Sequence, residues 1–196
     1  LKQAQRLKAF HEQHDSLKVN LVPADEIFNE FSSGTPDASA YRRYMKMLYD
    51  RATGEDDRPK YLLLFGDCLW DNRMITSYNT GKNPDDYLLA FESENSYDRR
   101  VCYIDDGFHA MLDDGEGLRP MYVDKLDIGV GRFPVVSDAE AKIMVDKTIS
   151  YAENGNGGAW QNTIMFMGDD GDYNMHMTDA NLVADQVSAA HPCRRS

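Results

Sequence analysis

The densest group of residues that could do chemistry lies in the stretch IMFMGDDGDYNMH, from Ile164 to His176. An apolar run ends at a glycine, and aspartates, an asparagine and a histidine follow. Carboxylates and an amide could bind a hard cation, and a carboxylate beside an imidazole could support acid–base catalysis. A third interpretation is an exposed turn whose aspartates cap the next helix. The residue types alone leave all three open.

The metal interpretation depends on the spacing of Asp170, Asp172 and Asn174, which matches the opening of a calcium-binding loop. The match then fails, because Met175 stands where the loop needs glycine and Asn181 where it needs a bidentate glutamate. Spacing alone therefore favours the helix-capping turn, and calcium binding stays the weaker hypothesis.

Nucleophilic catalysis would need a cysteine or serine beside a base. Cys68 follows Asp67 directly after an apolar run, but no histidine has a local spacing that forces a pair with it. A cysteine in that position more commonly serves as a small buried hydrophobe. His176 is more typical of a helix start or a surface position than of a base. The chain also has no Gly-rich phosphate loop and no G-x-S-x-G elbow.

Strand and helix patterns alternate along the chain and would position these residues. Strands are predicted at KYLLLFGD, LDIGVGRFP and NTIMFMGDD, with shorter ones at LKVNLVP, DYLLAF and RRVCYI. The first and third of these each contain a continuous apolar run ended by Gly-Asp, which predicts burial on both faces. Amphipathic helices are predicted over residues 1–15, 38–52, 137–154 and 178–190. The expected caps are Asp37, Ser137 with Glu140, and Thr178 or Asp179.

The alternation predicts one α/β domain over residues 1–196, with a mostly parallel sheet and helices on both faces. Residues 68–123 are predicted to form a loop-rich insertion, since they are rich in Asp, Asn and Gly. Functional groups in such sheets gather at the carboxyl ends of the strands. Asp67 and Asp169 each follow a glycine at a predicted strand end, so both are expected at that edge.

Composition limits the class of protein. The net charge of −12 argues against binding nucleic acid, which requires a basic face. No apolar run approaches the roughly 20 residues of a membrane span. The three cysteines share no metal-ligand spacing. The chain opens with Leu1 and without a signal peptide, and we expect it to be a piece of a longer protein.

Three stretches together resemble the gingipain family of cysteine peptidases, most closely its type IX secretion sortase branch. They are IFNEFSSGTPDASAYRRYMKMLYDRA, PKYLLLFGDCLWDNR and LDIGVGRFPVVSDAEAKIMVDKTISYAENGNGGAW. The last is similar to a family pattern of strand, Gly-Arg, Pro, a capped helix with Glu140, Lys147 and Tyr151, and a Trp before the next strand. The resemblance extends from about residue 20 to about residue 190.

The resemblance implies a caspase-like α/β catalytic domain built from two subdomains, of which this chain is the first. The family's catalytic Cys and His come from the second, so the chain alone is expected to be inactive. No nucleophile is assigned to Cys193, which follows a proline rather than a strand. Asp169, with Asp170 as the alternative, would orient the catalytic histidine. Asp67 and His176 are expected to line the site.

The function implied is that of a cysteine peptidase secreted by, or held on the outer-membrane surface of, a Gram-negative bacterium. It would cleave protein or peptide substrates, including carboxy-terminal sorting signals, and would need the second subdomain as a partner. No cofactor is required, although calcium is compatible with the acidic stretch. The alternative is a non-catalytic acidic extracellular module that binds calcium or a protein. Downstream Gly-His-Gly and Ala-Cys stretches would distinguish the peptidase.

Overall fold

The computed structural model describes residues 1–93, 98, 102–117, 124–155 and 157–190, with no side-chain detail for 188–190. It contains two compact units, Leu1–Ala152 and Glu153–Ser196. No helix in the described part of the chain is long and apolar enough to cross a membrane.

The described residues of the first unit form four α-helices: α1 (Lys2–His14), α2 (Ala24–Phe31), α3 (Ser39–Arg51) and α4 (Asp138–Ala152). The predictions for α1, α3 and α4 are confirmed to within a few residues at each end. Helix α2 was not predicted, although its apolar residues Ile27, Phe28 and Phe31 fall on one helical face.

The predicted caps of two helices form largely as expected. Asp37 Oδ1 accepts hydrogen bonds from the backbone N–H of Ser39 at 2.8 Å and from its hydroxyl at 2.7 Å. At the start of α4, the Ser137 hydroxyl accepts a bond from the Glu140 N–H at 3.3 Å. The Glu140 carboxylate accepts from the N–H of Val136 at 2.8 Å, one residue before the position a capping box uses.

Helices α1 and α4 pack against each other. Their buried apolar residues are small or aliphatic, namely Ala4 and Leu7 on α1 and Ala141 and Val145 on α4. Burying a Leu or Val side chain contributes about 1.5–3 kcal/mol. The spacing of these residues is therefore what fixes the pairing of the first helix with the last one of this unit.

The sheet of the first unit consists of two parallel strands among the described residues, β1 (Tyr61–Phe65) and β2 (Gly129–Phe133). Their register runs from Tyr61 opposite Gly129 to Phe65 opposite Phe133. The expectation that β1 is buried on both faces is wrong. Leu64 is buried, whereas Tyr61 and Leu63, which share the opposite face of the sheet, are 69% and 39% exposed.

The core lies on the other face of this sheet, under α3. Met45 of α3 forms a buried cluster with Ala110, Leu112 and Ile128. Partly buried residues complete it from α3 and both strands: Tyr44, Leu48, Tyr49, Leu62 and Val130. The α/β class is thus correct, and the structure shows helix on one sheet face at this point.

Residues 68–117 contain short 3₁₀ turns at Ser77–Asn79, Pro84–Asp86 and Asp106–Ala110. The predicted strand DYLLAF does not form as a regular strand; the isolated bridges among the described residues here pair Cys68 with Leu88 and Glu92 with Ile104. The strand predicted at RRVCYI stays a prediction. Residues 99–101 of this stretch lie outside the described residues. The strand predicted at LKVNLVP is also absent, since residues 17–23 are irregular between α1 and α2.

The second unit contains a 3₁₀ turn at Ala159–Asn162 and helix α5 (Gly171–Ala190). The strand predicted at NTIMFMGDD does not form, because no described strand pairs with it, and Met167 is 83% exposed. Helix α5 begins before the predicted caps, so the Thr178 hydroxyl instead donates to the carbonyl of Asn174 at 2.9 Å.

Candidate functional site

Asp67 lies at the carboxyl end of β1, as predicted. Pairing continues past the strand, since the N–H of Gly66 donates to the Phe133 carbonyl and that of Asp67 to the Val135 carbonyl, each at 3.0 Å. Asp67 Oδ1 accepts a hydrogen bond from the backbone N–H of Cys68 at 2.9 Å. Its carboxylate therefore supports the turn that leaves the sheet.

A buried ion pair that the sequence did not predict lies at the same edge. Arg132 donates to Asp106 from Nε at 2.8 Å and from Nη2 at 2.7 Å, and to the Gly66 carbonyl from Nη1 at 3.0 Å. Its side chain is only 8% exposed. Burial lowers the pKa of Arg132, but the hydrogen bonds and charge of Asp106, together with Cys68 and Tyr41, outweigh that effect and raise the pKa overall. The three bonds tie the ends of β1 and β2 to the turn at residues 106–110.

Cys68 is not an activated nucleophile. Burial raises the pKa of its thiol above the ordinary value, and the positive charge of Arg132 offsets only part of the effect. The carboxylates of Asp106 and Asp67 raise the pKa further. A thiolate is the attacking form of cysteine, so this environment suits a structural role.

His109 is fully buried, and neither ring nitrogen has a hydrogen-bond partner among the described residues. Its ring contacts Tyr41, Phe91 and Phe108, with centroid distances of 5.5, 6.5 and 5.5 Å. Burial lowers the pKa of His109 to about 4, because the charged form cannot be solvated there. His109 is therefore neutral and packs among its neighbours as an aromatic ring.

In the second unit, Asp169 and His176 form a close pair. The distance from Asp169 Oδ1 to His176 Nδ1 is 2.7 Å, and Asp172 Oδ2 lies 3.7 Å from the other ring nitrogen. The predicted site residue His176 therefore lies beside the predicted acid. Asp170 forms no such contact among the described residues. The sequence contained both residues but gave no reason to pair them.

The backbone between them is unusual. Asp172, Tyr173 and Asn174 have φ values of 49°, 58° and 64°, in the left-handed region, within the span of α5. This conformation costs about 1–2 kcal/mol for each non-glycine residue, although Asp and Asn tolerate it better than most. The turn it produces brings His176 back toward Asp169.

The acidic side chains that lie close enough to share a cation are not those predicted. Ligand oxygens of Asp113, Glu116 and Asp127 lie within 4.8 Å of one another. No group of three His, Cys, Asp or Glu ligands forms at Asp170 and Asp172 within the part of the chain that the structure describes. Calcium binding by Asp170, Asp172 and Asn174 remains the weaker hypothesis.

Comparisons with known proteins determine the family. A model of peptidase family C25, the gingipain family, matches residues 1–195. The chain belongs to the gingipain family. The resemblance carried by its three sequence stretches is confirmed. No curated protein matched the chain significantly.

Among solved structures, this gingipain-family chain is similar to the crystal structure of dimeric latent PorU from Porphyromonas gingivalis. The two share 37% sequence identity with a TM-score of 0.67, over 90% of this chain and 17% of that one. The chain thus corresponds to about a sixth of PorU.

Within this gingipain-family chain, sequence reasoning missed the Arg132–Asp106 pair and the buried His109. A signal existed for Arg132, which stands two positions after Val130 in β2 and must therefore share a sheet face with it. No comparable signal identified Asp106 as its partner, because the two lie 26 positions apart across the irregular region. Cys193, which the sequence did not support as a nucleophile, lies outside the described residues.

Proposed function

We propose that this chain forms the first subdomain of a gingipain-type cysteine peptidase that cleaves carboxy-terminal sorting signals and transfers its cargo to an anchor. The observation that carries the proposal is the family match over residues 1–195, together with the similarity to PorU. In this proposal the complete sheet has further parallel strands and helices on both faces, and the second subdomain is the partner that completes the site.

The proposed chemistry is attack by a thiolate on a peptide carbonyl, formation of an acyl-enzyme, and its release to water or an amine. The nucleophile and its histidine come from the second subdomain. Two features of the chain support that location. The pKa of Cys68 is raised rather than lowered, and His109 is enclosed by aromatic rings. Neither side chain is suited to the reaction.

Asp169 contributes the acid that orients the catalytic histidine in this proposal, with Asp170 as the alternative. A carboxylate in this role holds the imidazole in one tautomer and stabilises its charged form. The side chain of Asp169 is 72% exposed, which leaves it accessible to a group from another part of the protein. Asp67 and His176 remain the proposed lining residues.

The protein is proposed to act outside the cell, secreted or on the cell surface, through the type IX secretion system. Its substrates are proteins, as membership of a peptidase family implies. No cofactor takes part in the proposed steps.

The experiment compares the complete gene product with the 196-residue chain on a secreted protein that carries its carboxy-terminal sorting signal. We expect the complete protein to cleave the signal and to lose that activity on thiol alkylation, while the chain alone does nothing. Cleavage by the chain alone, abolished by alkylation, would show that the nucleophile lies within residues 1–196. A complete protein that cleaves no peptide bond would refute the proposal.

A further inference from the structure

Asp169 uses only one of its two carboxylate oxygens within the described part of the chain. Oδ1 lies 2.7 Å from Nδ1 of His176 and accepts a hydrogen bond from the N–H of Gly171 at 3.2 Å. No hydrogen bond from a described residue reaches Oδ2. One oxygen is therefore fixed, and the other is available to a donor from elsewhere.

The direction of the proton in this pair follows from the chemistry of the groups. An ionised carboxylate has no proton to donate, so the bond requires that Nδ1 of His176 carries the hydrogen. The second nitrogen, Nε2, lies 3.7 Å from Asp172 Oδ2, which is too long for a direct hydrogen bond. The imidazole is thus bound to Asp169 through Nδ1, with a second carboxylate close to its other side.

The backbone reinforces the contact. A Cβ atom placed on Gly168 would lie 2.7 Å from the carbonyl oxygen of His176 and 2.9 Å from the nitrogen of Met177. Only a glycine allows this approach. Because Gly168 directly precedes Asp169, the close approach holds the main chain of the acid against the turn of helix that carries His176.

Stability does not explain the pair, since both partners are exposed and such pairs contribute about 0–1 kcal/mol. What the contact does fix is the direction of the carboxylate. We propose that His176 is a positioning residue: by donating to Oδ1 of Asp169 it directs Oδ2 toward the histidine that Asp169 orients. This inference rests on the proposed function, and it adds a residue that acts through Asp169 rather than on the substrate.

The test is a double-mutant cycle in the complete gene product, with kcat and KM measured for cleavage of a sorting-signal peptide. The variants are Asp169→Ala, His176→Leu, His176→Asn and the double variant Asp169→Ala/His176→Leu. Leucine removes the donor, whereas the asparagine amide keeps one close to the position of Nδ1. A thermal melt of each variant separates a loss of activity from a loss of fold.

The chain offers a matched control. His14 pairs through Nδ1 with Asp15 Oδ1 at 2.7 Å, the same distance as in the His176 pair. The two imidazole side chains are exposed to nearly the same extent, 44% and 43%. The variant His14→Leu therefore removes a surface pair of the same length at the end of α1, where Asp15 keeps its contact with His11, and is expected to leave kcat unchanged.

We expect His176→Leu to lower kcat about tenfold with KM changed by less than about twofold, and His176→Asn to restore most of the loss. In the Asp169→Ala background, His176→Leu should have no further effect, because the residue it positions is gone. If His176→Leu lowers kcat equally in both backgrounds, the inference is overturned. It is also overturned if the single variant His176→Leu is fully active while the single variant Asp169→Ala is impaired.

Failure of the proposed function has a different signature. If Asp169→Ala retains full activity, Asp169 is not the orienting acid, and both that assignment and the inference fall. If the complete protein cleaves nothing, the proposed function itself is refuted and the inference with it. If Asp169→Ala lowers kcat but His176→Leu leaves kcat unchanged, only the inference is refuted.

Discussion

Arg132 binds Asp106 through two hydrogen bonds of nearly equal length, 2.8 Å and 2.7 Å, with the arginine side chain almost fully buried. This bidentate geometry is one that a lysine cannot reproduce. Because the same guanidinium also binds the Gly66 carbonyl, the pair links the two strands to the turn that contains His109.

Loss of one partner of this pair should destabilise the fold. Asp106→Ala leaves the buried guanidinium of Arg132 without its carboxylate partner. We expect the free energy of unfolding to fall by about 3 kcal/mol in urea titrations. The double variant Arg132→Met/Asp106→Leu should be less destabilised than Asp106→Ala, since it leaves no charge. Glu55→Ala, which breaks the exposed pair with Arg58, is the control and should cost less than about 0.5 kcal/mol. Equal losses for the buried and exposed pairs would contradict this account.

Acid should weaken the fold through His109. Its pKa is about 4 in the folded chain, against about 6.5 when unfolded, so the unfolded state takes up the proton first as the pH falls. The contribution of neutral His109 to the free energy of unfolding is fully present above pH 6.5. It decreases from there down to about pH 4, by an amount on the order of 2–3 kcal/mol.

The charged groups that act on His109 are Asp106, which raises its pKa, and Arg132 and Arg42, which lower it. Unfolding of the wild type and of His109→Gln, measured between pH 7 and pH 4, isolates the effect. The stability of the wild type should decrease more steeply, and His14→Gln should follow the wild type. Parallel curves for the wild type and His109→Gln would refute the buried neutral imidazole.

The close approach at Gly168 predicts a local effect in the second unit. Gly168→Ala places a methyl group 2.7 Å from the backbone of His176, and relieving the clash should cost about 1–3 kcal/mol. Amide hydrogen exchange of α5 should become faster. Gly54→Ala is the matched control, because nothing lies within 4 Å of its added methyl group. Unchanged exchange of α5 in Gly168→Ala would show that the contact does not hold the turn.

Calcium should have little effect on the chain. Asp127 Oδ2 already accepts hydrogen bonds from the backbone N–H groups of Leu112 at 2.5 Å and Asp113 at 3.2 Å, so this carboxylate has a structural role without an ion. We expect the melting temperature to rise by less than about 1 °C in millimolar calcium. A ligand present at 100 times its Kd would instead raise the free energy of unfolding by about 2.7 kcal/mol and so shift the melting temperature clearly. A larger saturable rise, lost in Asp170→Asn, would support the calcium-binding alternative instead.

Local patterns in the sequence predicted the helices well. Tyr41 and Met45, one turn apart, are buried in α3, and Ala141 and Val145, also one turn apart, are buried in α4, whereas Tyr151 near the end of α4 is exposed. Such patterns depend on neighbours three or four positions away, which the sequence displays directly. Strand β1 and strand β2 were also found, since each is a short apolar run ended by turn residues.

Contacts between distant residues could not be predicted in the same way. The apolar run at residues 164–167 has the composition of a buried strand, but a strand also requires a partner, and composition does not specify one. The buried pair of Arg132 and Asp106 spans 26 positions, and the contact of Asp169 with His176 depends on left-handed residues between them. The acids of the candidate site were thus predictable as residues, but their partners were not.

We propose that the nucleophile of the complete peptidase lies outside these 196 residues. The most direct measurement labels the complete gene product with a thiol-reactive peptide analogue of the sorting signal and locates the modified cysteine by mass spectrometry. We expect one modified cysteine beyond Ser196, with Cys68, Cys102 and Cys193 unlabelled under conditions that abolish activity. Stoichiometric label on any of those three, in step with the loss of activity, would contradict it.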